Sequence, residues 1–193
     1  MGEFQDRVAG AQIFTMLDLK DGFHLVRIQE GEEWKTAFRT RYGLFEYKVM
    51  PFGRFNAPDR FQAMTNKVLR EFLDHGLVVY LDDILIYLES EEEHIDLVKK
   101  VLAKVEEQQL VVSVTKSVFH VESVEVRGYI VGIEGVTLSK RKVESVMNWR
   151  AQRSVKQVPI LIRFATFQRP LIKHLSQICT PITETLKDDK RKF

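Results

Sequence analysis

The chain has 193 residues, 45% of them hydrophobic and 29% charged, with 29 Lys and Arg against 27 Asp and Glu for a formal net charge of +2. That composition excludes a disordered chain and a general polyanion-binding field, so any contact with nucleic acid has to come from local clustering. A single cysteine, Cys179, excludes an intramolecular disulfide framework, and no apolar run approaches the ~20 residues of a membrane span.

The length suits one sizeable core, or a domain with a smaller appendage. Residues 1–10 are set aside as a tag or leader. Ile13 to Leu19 reads as a strand ending in Asp18, with Lys20-Asp21-Gly22 as its turn. A lone acid there is ordinarily a turn or cap residue. His24 to Ile28, Lys35 to Thr40 and Phe45 to Met50 read as three strands of a small meander. Pro51 to Pro58 is a loop entering a helix, whose stripe Phe61, Met64, Val68 and Phe72 runs to His75-Gly76. Ser90 and Glu93 have capping-box spacing, opening a helix with Ile95, Val98, Leu102 and Val105 as its apolar face. Leu110 to Ser113 and Val124 to Val131 read as strands, Gly135 as a turn, and Ser139 to Arg150 as a helix. The final helical part is expected to break at Pro159 and Pro170.

The stretch Leu77 to Tyr87 stands apart. Two adjacent carboxylates, Asp82 and Asp83, lie between apolar runs with the composition of buried strands. Neighbouring acids cannot be desolvated unpaired, so the pattern predicts a hairpin with both acids at its tip. A sheet that brings the end of the first strand to this tip would add Asp18. Three carboxylates from separate strands are tolerable if hard divalent cations neutralise them, which makes two-metal phosphoryl transfer plausible without a Gly-rich phosphate loop.

Several collinear motifs carry a resemblance: Phe14 to His24, Trp34 to Gly43, Val49 to Gly53, Asn56-Ala57-Pro58, Phe61-Gln62 and Tyr80 to Tyr87. Together they resemble the reverse transcriptases of gypsy-type long-terminal-repeat retrotransposons, closely from about residue 10 to about residue 150. The resemblance implies an α+β fold: a palm-like antiparallel sheet with packed helices (residues 11–24 and 51–138), a partial fingers meander (25–50), a small helical thumb (139–187) and a tail (188–193). It implies RNA-directed DNA polymerase activity at an intracellular site, a cytoplasmic particle or the nucleus, with magnesium or manganese as the metal. RNA or DNA template-primer and deoxynucleoside triphosphates are the implied partners.

By the same resemblance, Asp18, Asp82 and Asp83 are the catalytic and metal-binding acids, with the Leu19 carbonyl a further ligand. Phe23 takes the place of the ring beneath the incoming sugar. Phe52, Gly53, Pro58, Gln62 and Lys116 are expected to hold nucleotide and template, and Tyr80, Gly128 and Tyr129 the primer. The sequence departs from the family at Arg54, Phe55, Arg127, Pro159, Arg163 and Pro170, and it starts just before the first acid strand, so half of the fingers is expected to be absent. Self-association would cover the surface left exposed. The alternative reading is a degenerate or host-retained module that binds nucleic acid or protein without turnover.

Overall fold

The computed structural model describes residues 2–20, 22–51, 53, 56–148 and 158–184, and of residues 2, 3, 23, 146, 167 and 170 the backbone alone. Phe52, expected to hold nucleotide and template, the departures Arg54 and Phe55, and the tail lie outside the described residues.

The segment set aside as a leader is not idle. It forms helix α1 (Gly2–Val8), whose Val8 is buried with Ala11 and whose Phe4 packs on the same cluster. Strand β1 (Ile13–Lys20) follows and becomes the spine of the main sheet. The expected three-strand meander is largely replaced. A helical turn, α2 (Gly22–Leu25), comes first. Residues 26–28 and 48–50 pair only around an Arg27–Val49 bridge, with the Ile28 N–H donating to the Lys48 carbonyl and Met50 to Val26. Glu33–Thr36 winds into a 3-10 turn, in which the Thr36 hydroxyl donates to the Glu33 carbonyl at 2.6 Å, a local bond that competes with extension. What remains is a short hairpin of β2 (Phe38–Thr40) and β3 (Gly43–Phe45), all of it exposed.

Helix α3 (Ala57–Val68) has Pro58 in its first turn, where the missing N–H costs nothing. It ends at Val68 rather than near His75-Gly76, and it buries Ala57, Phe61 and Thr65. Strands β4 (Leu77–Tyr80) and β5 (Asp83–Leu88) form the acid hairpin. Helix α4 (Glu91–Glu107) starts after Ser90 as expected, but the serine hydroxyl makes no capping bond. Its buried face is rotated from the expected one, with His94, Val101 and Val105 inside and Ile95 40% exposed. Strands β6 (Val111–Val112) and β7 (Val118–Val121) complete the main sheet. The sequence had given no sign of β7.

The run from Val124 to Val131 is not one strand. Arg127 (φ +54) and Gly128 (φ +80) are both left-handed, the signature of a two-residue hairpin turn, and split it into β8 (Ser123–Val126) and β9 (Tyr129–Gly132). Gly135 opens a further strand, β10 (Gly135–Leu138), instead of leading directly into a helix. Helices α5 (Lys140–Met147), α6 (Val158–Phe167) and α7 (Leu175–Glu184) finish the chain. Pro159 sits in the first turn of α6, and residues 149–157, across which a break at Pro159 would fall, lie outside the described residues. Pro170 lies in a 3-10 turn between α6 and α7, as the break there required, and Pro181 is accommodated inside α7.

Among the described residues the main sheet has five strands, ordered β4-β5-β1-β6, with β7 pairing β1 beside β6, and these strand pairings are antiparallel. Both of its faces are covered. Leu17, Leu19, Ile84 and Ile86 face α3 and α4 in one core, with Phe61, Leu77, Val101 and Val105. Phe14, Leu85 and Tyr87 face the second sheet, β8-β9-β10, in the other core, with Val124, Tyr129, Val131 and Val136. Burial on both sides explains why the strand after the acids reads as a continuous apolar run and not an alternation. Such a strand cannot slip by one residue without exchanging its two faces, so the register that positions the acids is held by both cores.

Candidate active site

The pairing of β1 with β5 sets Asp18 directly opposite Asp83, and the pairing of β4 with β5 sets Asp83 opposite Tyr80. The hairpin tip is therefore Leu81-Asp82, and Asp83 is the first residue of β5 rather than a tip residue. Leu81 adopts φ +56, a left-handed conformation that a leucine holds only when its surroundings impose it. Two restraints are visible. The Leu81 N–H donates to Gln62 Oε1 at 2.6 Å, and Gln62 Nε2 donates to the Val79 carbonyl at 3.1 Å and to Asn66 Oδ1 at 2.8 Å. The Leu19 N–H donates to the Asp82 carbonyl at 2.8 Å, tying the tip to the end of β1. On the other side of Asp18, its N–H reaches the Ser117 hydroxyl at 3.1 Å and its carbonyl accepts the Ser113 N–H at 2.8 Å.

Electrostatics at this sheet end are strained. The Asp83 carboxyl is pushed above its ordinary pKa, first by burial and then by the charge of Asp82; Arg127 pulls it down, Asp18 pushes it up, and Lys116 lowers it. Asp18 Oδ1 is buried without a hydrogen-bond partner, while the Lys116 ammonium stands 3.4 Å away at ion-pair distance. A buried carboxylate oxygen without a donor is costly unless a cation completes it. Among the described residues no three His, Cys, Asp or Glu side chains are gathered to hold a metal ion by themselves. Hard carboxylate oxygens of this kind nevertheless fit magnesium, which uses one or two carboxylates and takes its other ligands from water and phosphate.

The other expected site residues divide. Lys116 and Gln62 are at the acids, although the polar atoms of Gln62 are bonded to the hairpin and its own helix. Tyr80 is beside Asp83 and half exposed. Gly53 (φ +91) and Pro58 are exposed in the loop and first turn leading into α3. Phe23 lies in α2, its side chain outside the description, as is all of Phe52. Gly128 is in the β8–β9 turn. Tyr129 is buried, and its hydroxyl donates to the equally buried Gln168 Oε1 at 2.8 Å. Two residues at the site went unassigned in the sequence: Ser117, which carries no motif signal, and Arg127, whose guanidinium lies 4.4 Å over the Tyr80 ring.

The family model described as reverse transcriptase (RNA-dependent DNA polymerase) matches residues 2–131, more than half of the chain. The chain belongs to the reverse transcriptase family. Several Tf2 transposon polyproteins of Schizosaccharomyces pombe, Tf2-3 and Tf2-4 among them, are 37% identical to this reverse transcriptase domain over 185 residues, which is 96% of the chain. The chain spans 14% of those polyproteins. Two solved structures of foamy viral protease-reverse transcriptase share the fold: one titled as a complex with double-stranded DNA (TM-score 0.84, 24% identity, 94% of this chain and 32% of that one), another with an RNA/DNA hybrid (TM-score 0.78, 23% identity, 97% and 26%). The expected palm-like α+β fold and the expected kinship with retrotransposon reverse transcriptases are borne out. Among the described residues no helix is long and apolar enough to cross a membrane.

Proposed function

We propose that this reverse transcriptase domain is the palm and thumb of an RNA-directed DNA polymerase that transfers a nucleotidyl group to a primer 3′-hydroxyl. One observation carries the reading: Asp18 and Asp83 stand directly opposite each other on neighbouring strands, beside Asp82, with a buried Asp18 oxygen lacking a donor. Asp18, Asp82 and Asp83, with the Leu19 carbonyl, are the proposed holders of two magnesium ions, or manganese in their place. When bound, such ions favour ionisation of the attacking hydroxyl and neutralise the leaving oxygen.

The protein's own groups do the positioning. Gln62 and Leu19 fix the acid tip through its backbone, and Lys116 offsets the charge of Asp18 while leaving most of its own side chain in solvent to meet a triphosphate. Phe23 is proposed beneath the incoming sugar, and Phe52, Gly53 and Pro58 along the template. Tyr80 and the Gly128 turn face the primer end, with buried Tyr129 bracing that turn from within. Residues 25–50 are assigned to partial fingers and 139–187 to the thumb. Nucleic acid as a partner is supported by the duplexes in the structural neighbours. Deoxynucleoside triphosphates, a second copy covering the exposed Trp34, Tyr42, Leu44 and Phe45, and a cytoplasmic particle or nucleus as the place of action complete the proposal.

Single-nucleotide addition to a primer on a homopolymer template, with magnesium or manganese, tests it. Addition by the wild type that disappears in Asp82→Asn/Asp83→Asn supports the polymerase. Tight template-primer binding with no addition under either metal favours a binding module without turnover.

A further inference from the structure

Arg127 is the departure from the family pattern that the reaction leaves unused, and several features converge on it. It occupies the first position of the β8–β9 turn with φ +54, a backbone conformation in which a side chain other than glycine, asparagine or aspartate is uncommon. Its carbonyl accepts from Lys142 Nζ at 3.4 Å, and that ammonium lies 3.7 Å from the Tyr129 ring centroid, so the turn is braced from α5. Its guanidinium is stacked 4.4 Å from the centroid of Tyr80, the residue directly opposite Asp83. No carboxylate lies within ion-pair distance of it among the described residues. A guanidinium over an aromatic face gains cation–π attraction while its planar N–H donors stay available.

We propose that Arg127 is a positioning residue of the acid tip: seated on Tyr80, it ties the β8–β9 turn to the β4–β5 turn and holds a fixed positive charge beside the acids, steadying the tip without metal while weakening its hold on divalent cations. The proposal rests on the reading of Asp18, Asp82 and Asp83 as the metal site. Its direction follows from geometry and Coulomb's law: the guanidinium sits on Tyr80, directly opposite Asp83, and a fixed positive charge there repels a divalent ion about twice as strongly as a monovalent one.

Manganese titration by calorimetry, on the whole chain without nucleic acid, reads the charge, and NMR of ring-labelled tyrosine reads the stacking. In Arg127→Met the manganese affinity is expected to rise about three- to tenfold, the size of a single charge acting across a solvent-accessible site at moderate salt. Arg127→Lys keeps the charge and is expected to keep the wild-type affinity. Both variants are expected to shift the Tyr80 ring resonances, assigned with Tyr80→Phe, and to speed exchange of the Leu81 amide. Manganese binding by the wild type that is lost in Asp82→Asn/Asp83→Asn but unchanged in Arg127→Met overturns the role of Arg127 and leaves the metal site standing. Equal affinity in the wild type and the double acid variant overturns the metal site and the proposal with it.

Discussion

Gln62 and Leu81 are joined by a 2.6 Å hydrogen bond from the Leu81 N–H to Gln62 Oε1, so the strained residue of the acid tip is anchored by a helix and not by its own hairpin. Gln62→Ala removes that acceptor and also the donor to the Val79 carbonyl. Leaving two partly buried backbone groups unpaired is expected to cost about 1–3 kcal/mol, read as a lower urea midpoint. Single-nucleotide addition should fall further than stability does. Gln62→Glu keeps the acceptor and loses the donor, and is expected to lie between the two.

Gly22 reads as a turn glycine, but its demand is steric. A Cβ built there would lie 2.2 Å from Cζ of Phe61, a fully buried ring on α3. Gly22→Ala is therefore expected to force that ring, and with it α3, to move. Overpacking of this kind costs about 1–3 kcal/mol or more. Thermal denaturation checks it, and an unchanged midpoint would contradict the close approach of α2 and α3.

The raised pKa of Asp83 gives a pH dependence of definite sign. Because the folded protein holds this proton more tightly than the unfolded chain does, metal-free stability falls as pH rises from the ordinary aspartate value through the raised one. Asp83→Asn is thus expected to raise the melting temperature in chelator at neutral pH. Added manganese should stabilise the wild type through linkage and the variant much less.

His94 behaves in the opposite sense. Its ring is buried, with Nε2 at 2.8 Å from the Thr15 hydroxyl and Nδ1 lacking a partner, and its pKa is held below the ordinary value by burial first and by His120 second. The groups around it are the Thr15 hydroxyl from β1, His120 from β7 and, across His120, Glu91 at 3.3 Å. The unfolded chain takes up the proton first as pH falls, so stability is lost from roughly pH 6.5 downward to the depressed folded value. Urea midpoints between these limits should slope in the wild type and flatten in His94→Gln.

The parts of this fold that were legible in the sequence are those with both composition and motif behind them. The acid hairpin, β1 and α3 declare themselves through apolar runs, and the family pattern places Asp18 beside Asp83 before any register is known. The failures have local causes. Thr36 bonding back to Glu33 turns an expected strand into a 3-10 turn, and two successive left-handed residues at Arg127-Gly128 split an apparent strand in two. The buried face of α4 is chosen by His94 meeting Thr15 across the core, which a hydrophobic stripe does not encode. The bracing of the tip by Gln62 and the seating of Arg127 on Tyr80 are tertiary contacts between distant segments, invisible to spacing.

The central claim is that Asp18 and the acid tip form one catalytic unit, and single-turnover addition of one nucleotide tests it most directly. With a preformed primer-template and saturating manganese, Asp18→Asn and Asp83→Asn should each abolish detectable addition, and the double variant should be no worse than either single one, as for residues acting together. Addition that persists in Asp18→Asn at close to the wild-type rate would contradict the account.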